Sequence, residues 1–393
     1  MTQGARPDAA RPDAARPDVI IVGAGIVGAA CAHELAAHGL SVLVLDRAGI
    51  GTGTTAAGMG HLVVMDDPPA EFALSAWSRD LWLALAPRLQ AKQAFVRCGT
   101  VWAAADEEEM AAARARQQVL QARGIACSML DAAQLREVEP ALREGLAGGM
   151  IVPDDAVVYA PTASAWLLEQ PLGGRIAVRG DAEVIAIERH GVRLADGTTL
   201  AAGAVLLANG LAAPTLMPGL PLVPKKGHLL ITDRYPGVVR HQILELGYIK
   251  SAHQTSGTSV AFNVQPRPTG QLLIGSSRQF DTTDPAVEPA VLARMLRRAA
   301  EFMPGLPDLN ALRAWTGFRP STLDGLPLIG PALPGSSPHP NTWLAVGHEG
   351  LGVTTALGTA KLIAAQMLGQ AAAIDPTPYL PARCLDNGSA AHG

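Results

Sequence analysis

The chain reads as an α/β protein, α+β overall, that combines a parallel-sheet nucleotide-binding domain with a lobe built on an antiparallel sheet and helices. Three observations predict it. A buried strand, a glycine-rich turn, a helix and a second buried strand begin at Asp18. Short apolar runs at hairpin spacing follow one another between Gly227 and Phe280. A strand and a glycine loop from Thr342 lead into a long apolar helix.

Size and composition bound the reading. At roughly 100–200 residues per domain, 393 residues make two or three domains or one two-lobed enzyme. Hydrophobic residues at 48% and charged residues at only 17% exclude a disordered or coiled-coil protein. Aromatics are only 4%, so small residues and close backbone approach carry much of the packing. The net charge is −4, and the basic pairs Lys225-Lys226 and Arg297-Arg298 are isolated, so nucleic acid is not an expected partner. Cys31, Cys98, Cys127 and Cys384 form no C-x-x-C pair, which argues against a metal site or a disulfide framework and fits a reducing cytoplasm. The apolar run over 19–32 is shorter than the ~20 residues of a membrane span and is interrupted by Gly23, Gly25 and Gly28. No signal peptide is read before it. The expected location is cytoplasmic.

The elements follow in order. Residues 1–17 repeat an Ala-Arg-Pro-Asp unit without an apolar face, and are expected to be a disordered tail. Val19-Ile20-Ile21-Val22 is a strand, Gly23-Ala24-Gly25-Ile26-Val27-Gly28 a turn entering a helix, and Val42-Leu43-Val44-Leu45-Asp46 a second strand. Gly23 permits the tight turn, Gly25 lets the backbone reach a pyrophosphate, and Gly28 lets helix and strand pack closely. The N–H groups at the helix start, at Ile26 and Val27, then face an anion. Asp46 is placed to accept ribose hydroxyls, which leaves NAD and FAD as candidates. A second small-residue loop, Gly51 to Gly60 with Thr54, Thr55, Ala57, Gly58 and Met59, can surround a pyrophosphate from the other side, or is a linker.

This arrangement resembles the FAD-dependent D-amino-acid oxidase superfamily, in its glycine oxidase, sarcosine oxidase and D-amino-acid dehydrogenase branch. Two later motifs carry the same likeness: Gly317-Phe318-Arg319-Pro320 with Asp324-Gly325-Leu326-Pro327, and Gly347-His348-Glu349-Gly350-Leu351-Gly352. More narrowly, the segments 58–67 and 265–275 resemble bacterial D-hydroxyproline dehydrogenases and the catalytic subunit of hydrogen cyanide synthase, amine-oxidising flavoproteins that can work beside small partner subunits.

The resemblance implies a Rossmann-like FAD-binding domain with an inserted substrate domain. The expected boundaries are 18–88, 151–222 and 318–384 for the FAD domain, 89–150 and 223–317 for the substrate domain, and 385–393 for a flexible C-terminus. It also implies cofactor contacts at Asp46 and Arg47, main-chain contacts from Val184 to the adenine, and a loop and helix start at Gly347, Gly350, Leu351, Gly352, Val353 and Thr354 aimed at the flavin. Sarcosine oxidases attach flavin through a cysteine near the position of Ser321, so non-covalent FAD is expected here.

Helices are expected near 74–85, over 107–123, over 289–303 and over about 353–368, with strands at 182–187 and 205–208. Arg319 is the leading substrate residue: the resemblance gives it a forked contact with a substrate carboxylate, and the alternative is an ion pair with Asp324. Tyr248 is placed either on that carboxylate or in the core. His348 is a candidate catalytic residue, and with His61 and His228 is either a general base or a satisfied polar group. Glycine oxidases carry a second arginine where this chain has Gly350. The expected activity is oxidation of the CH–NH bond of a D-amino or cyclic amino acid, of D-hydroxyproline or D-proline type, by hydride transfer to flavin. The alternatives are a glycine or sarcosine oxidase and a flavin-carrying subunit of a larger amine dehydrogenase. The electron acceptor is oxygen, a quinone or a partner subunit.

Overall fold

The computed structural model describes residues 16–65, 68–247, 257–280 and 282–386. Most of the repeat, and Tyr248, lie outside the described residues. Strand Val19–Val22 stands inside a six-stranded sheet, between Ala204–Leu207 on one side and Val42–Leu45 on the other, both parallel to it. Thr342–Val346 and Ile176–Arg179 extend the sheet in parallel, and Leu328–Pro331 closes one edge antiparallel. The central strands are apolar without alternation because both faces are covered. Helices Ile26–Ala37, Ala160–Leu168 and Gly352–Met367 bury one face in a core that includes Ile21, Leu35, Leu206 and Ile363. A three-stranded antiparallel sheet, Val184–Glu188, Gly191–Leu194 and Thr199–Ala201, packs on the other through Val184, Ile187 and Val192.

The second large sheet has eight strands, in the order Ala311–Ser321, Val223–Arg234, Gln271–Gln279, Thr258–Pro266, Gln242–Glu245, Thr100–Ala104, Gly148–Val152, Ser128–Asp131. Its pairings are antiparallel except for Gln242–Glu245 beside Thr100–Ala104. The helix Pro289–Phe302 covers one face, with Phe302 stacked on Phe262 at 4.8 Å. The apolar runs read between Gly227 and Phe280 are strands of this sheet, and three strands from residues 100 to 152 join them. The strands Gly148–Val152 and Ala311–Ser321 run through the boundaries expected at 150 and 317.

Both ends differ from expectation. The Pro17 carbonyl accepts from Gly203 N at 3.1 Å, and Arg16 reaches the Ala202 carbonyl, so the described end of the tail lies along the sheet rather than free. The short helix Arg383–Asp386 continues past the point where a flexible terminus was expected. Among the described residues no helix is long and apolar enough to cross a membrane.

Candidate active site

The two large sheets enclose a cavity of about 890 Å³. It opens at the carboxyl ends of the central parallel strands, at Val22, Leu45, Ala208 and Val346, where a doubly wound sheet places its ligands. Gly23 turns the chain there with φ +110°, and a Cβ at Gly28 would stand 2.0 Å from the Gly23 carbonyl oxygen, so helix and turn meet without room for a side chain. The Ile26–Ala37 helix begins at Gly25 with no side-chain cap and no acidic residue in its first turn, which leaves its positive end facing the cavity.

The two glycine loops are locked together. Thr55 Oγ1 accepts from Ile26 N at 3.1 Å, and Thr54 Oγ1 donates to the Phe318 carbonyl at 2.9 Å. Trp315 Nε1 donates to the Ala57 carbonyl at 3.1 Å. Asp46 lines the cavity with both carboxylate oxygens engaged: Oδ2 accepts from Ala24 N at 2.8 Å, and Oδ1 from Ala48 N and Gly49 N at 2.8 and 3.0 Å. It braces the turn as well as facing the cavity. Arg47, Gly58, Met59, Val184, Gly347, Gly350, Gly352 and Val353 are also at the wall. Gly28 and Leu351 are not, and neither is Thr354, whose hydroxyl donates to the His61 carbonyl at 2.9 Å.

Arg319 reaches the cavity from the second sheet. Its strand pairs Lys225 opposite Arg319 and Gly227 opposite Gly317. The guanidinium passes over Gly227 and donates from Nη1 to the Ser277 carbonyl at 3.2 Å, one strand further on. Among the described residues no carboxylate forms an ion pair with it. Asp324, the acid expected as the alternative partner, is held by Arg383, with Nε 2.7 Å from Oδ2. Glu349 is the anion at this end of the cavity. Burial pushes its carboxyl up, but the Arg278, Arg319 and Lys225 charges outweigh that and hold it below the usual range.

The histidines separate clearly. His348 is buried, with Nε2 3.0 Å from Thr359 Oγ1 inside the Gly352–Met367 helix, and burial lowers its pKa to about 3. It also lines the cavity, as a neutral ring. His228 is buried between Ser277 Oγ and Glu288 N, at 2.9 and 3.0 Å, and burial lowers its pKa too. His61 is at the wall, neutral, with burial taking its pKa to about 4. Sequence reasoning missed Asn263 and Glu349, which also line the cavity. Asn263 had a signal: it is a weak strand former inside the run Val260-Ala261-Phe262-Asn263-Val264.

Comparison with known proteins places this geometry. The FAD dependent oxidoreductase family, DAO, matches residues 18–366. D-amino acid dehydrogenase 2 of Pseudomonas aeruginosa is 32% identical over 273 residues, 65% of this chain and 60% of that relative. Glycine oxidase of Pseudomonas putida is 28% identical over 359 residues, 86% of this chain and 91% of the relative. The crystal structure of glycine oxidase from Geobacillus kaustophilus superposes with a TM-score of 0.82 at 27% identity, covering 93% of this chain and 98% of that one. The residues present suit the dinucleotide. The cavity has the volume, a helix start with no acidic residue in its first turn faces it, and Asn209 beside it keeps a buried Oδ1 with no partner.

Proposed function

The chain belongs to the DAO family of FAD-dependent oxidoreductases, and from that membership we propose that it oxidises a D-amino or cyclic amino acid, of D-proline or D-hydroxyproline type, to the imine. Arg319 carries the reading. It is a planar cation at the cavity wall, oriented by a peptide carbonyl and coupled by charge to Glu349 but ion-paired with no carboxylate among the described residues, which suits forked binding of a substrate carboxylate. FAD supplies, when bound, the acceptor for the hydride lost from the substrate α-carbon. Gly23, Gly25, Ile26, Val27, Asp46, Arg47, Thr54 and Thr55 would hold it, with Val184 and the Gly347–Val353 loop at its two ends. No cysteine lines the cavity among the described residues, which supports non-covalent binding.

The protein's own part is binding and orientation. Arg319 fixes the carboxylate, while Met59 and Leu229, in an apolar cluster with Leu273, exclude water from the floor. The amine arrives unprotonated so that its lone pair can close the C=N bond as the C–H pair leaves. Where glycine oxidases carry a second arginine this chain has Gly350, so less binding energy comes from charge and more from the body of the substrate. That favours a ring over bare glycine.

Dye-coupled turnover of cis-4-hydroxy-D-proline, D-proline, sarcosine and glycine by the FAD-loaded protein tests the proposal. The ring substrates are expected to have the higher kcat/KM, and glycine equalling them would refute it. Dye reduction with none of them would favour a flavin-carrying subunit instead, and exchanging the dye for oxygen identifies the acceptor.

A further inference from the structure

One wall of the cavity carries a chain of buried polar side chains that carboxylate binding does not use. Gln242 is fully buried, and its Nε2 donates to the Ala156 carbonyl at 3.2 Å. That bond turns Gln242 Oε1 onto His61 Nδ1, so the ring proton sits on Nδ1 and Nε2 is left as an acceptor. His61 stays neutral because burial holds its pKa at about 4. An accepting Nε2 requires a donor, and Asn263 Nδ2 supplies it at 3.2 Å. The orientation of the Asn263 amide is thus dictated by a backbone carbonyl three groups away. Gln265 Nε2 lies 3.3 Å from Nδ1. Since that nitrogen already holds its proton, the Gln265 amide suits the contact with its otherwise unpartnered Oε1 turned inward.

Asn263 Oδ1 then remains, buried and without a hydrogen-bond partner, on a residue 5% exposed at the cavity wall. Its place relative to the carboxylate anchor follows from strand register. The Arg319 guanidinium rests on Ser277 of strand Gln271–Gln279, and Asn263 pairs with Gly275 of that same strand. Gly275 and Ser277 are two residues apart, about 6.7 Å along the strand, and neighbouring strands lie about 4.8 Å apart, so Asn263 and the Ser277 carbonyl stand roughly 8 Å apart, a separation that a small ring bearing a carboxylate and one further polar group spans when it is hydrogen-bonded at both ends.

We propose that Asn263 Oδ1 is the specificity-determining acceptor for a hydroxyl group on the body of the substrate, and that His61 and Gln242 are positioning residues that hold the amide so that this oxygen is left unpaired. This rests on the amino-acid reading above. A deoxy substrate leaves the buried acceptor unpaired, whereas a hydroxyl satisfies it.

The experiment uses the FAD-loaded wild type, Asn263→Leu, Asn263→Ala and Gln242→Leu, each with flavin content matched. Turnover is compared for cis-4-hydroxy-D-proline and D-proline. Binding of cis-3-hydroxycyclopentanecarboxylate and cyclopentanecarboxylate is read from the flavin absorbance, independently of turnover. In the wild type the hydroxylated member of each pair is expected to lead by about 10- to 100-fold. Asn263→Leu and Asn263→Ala bring both ratios to within about threefold by weakening the hydroxylated member, and Gln242→Leu moves them the same way. Equal treatment of each pair by the wild type, or equal losses on both members in the Asn263 variants, overturns the proposal. A hydroxyl preference in binding without turnover of any amino acid overturns the preceding reading and leaves Asn263 its role.

Discussion

Gly227→Ala isolates the placement of Arg319 from its chemistry. Gly227 lies in an extended strand, where alanine meets no backbone strain, but the added Cβ would stand 2.8 Å from Arg319 Nη1 and 2.9 Å from Nη2. Carbon contacts are comfortable near 3.5–4.0 Å, so the guanidinium must retreat by at least half an ångström, away from the Ser277 carbonyl it now meets at 3.2 Å. The obstacle is the end of a flexible side chain, so the fold accommodates it. Misplacement of a positioning group by 1 Å can cost about 100-fold in rate, so kcat/KM is expected to fall about 10- to 100-fold with FAD content unchanged. Arg319→Met, which removes the charge that a buried substrate carboxylate would meet, should cost about 3–5 kcal/mol, two to three and a half decades. The double variant should match Arg319→Met alone, since Gly227 acts only through the arginine. Steady-state kinetics on the four enzymes decide it. A Gly227→Ala enzyme within twofold of wild type, or a Gly227 effect that persists without Arg319, would refute the reasoning.

Three further outcomes are expected. A Cβ at Gly25 would already stand 3.0 Å from Thr55 Oγ1, so Gly25→Val should separate the two glycine loops and abolish FAD binding, measured as the ratio of flavin to protein absorbance. Buried His61 and His348 have pKa values lowered from 6.5 to about 4 and about 3, so the unfolded chain binds more protons and stability should fall as pH drops from about 6.5 toward those values. The slope is about 1.4 kcal/mol per pH unit for each histidine, opposed up to about pH 6 by Asp155, whose pKa burial raises to about 6. Urea unfolding of wild type and His348→Gln checks it: the variant should show the shallower dependence, and equal slopes would reject the assignment. Glu349→Gln removes the anion that competes for the cations around Arg319, and should tighten binding of amine-free carboxylates by about tenfold at low salt; weaker binding in a titration would contradict it.

The features legible in the sequence are those written in contiguous residues. The strand, turn and helix around Gly23, Gly25 and Gly28 are read from one short stretch, and the unbroken apolar runs at Val19–Val22 and Ala204–Leu207 mark strands covered on both faces. Arg319 was readable because its motif is local. What was not readable depends on register between distant strands. Nothing near His61 in sequence shows that it meets Gln242 and Asn263, since those contacts exist only once Asn263 is set opposite Gly275. Strand Thr100–Ala104 joined the second sheet beyond the hairpin signals because it pairs in parallel with Gln242–Glu245, a partner that no turn announces. His348 sits in a glycine motif, but its contact with Thr359 inside the Gly352–Met367 helix is not written in that motif.

The bonds that lock the glycine loops join opposite ends of the chain: Thr54 to Phe318, Ala57 to Trp315, His61 to Thr354. Strand Thr342–Val346 lies in the same sheet as Val19–Val22, separated from it by one strand. A ribosome releases the chain from its N-terminus, so the second loop emerges early but waits for 258 to 293 further residues before these partners exist. The cavity wall is therefore expected to close late, after the strands that complete it have been released. Until the last sheet strand arrives, the early segment presents an incomplete sheet with unpaired edges, the state most exposed to misassembly. Supply of flavin then acts on the yield of folded protein by trapping the completed chain, not by templating its growth.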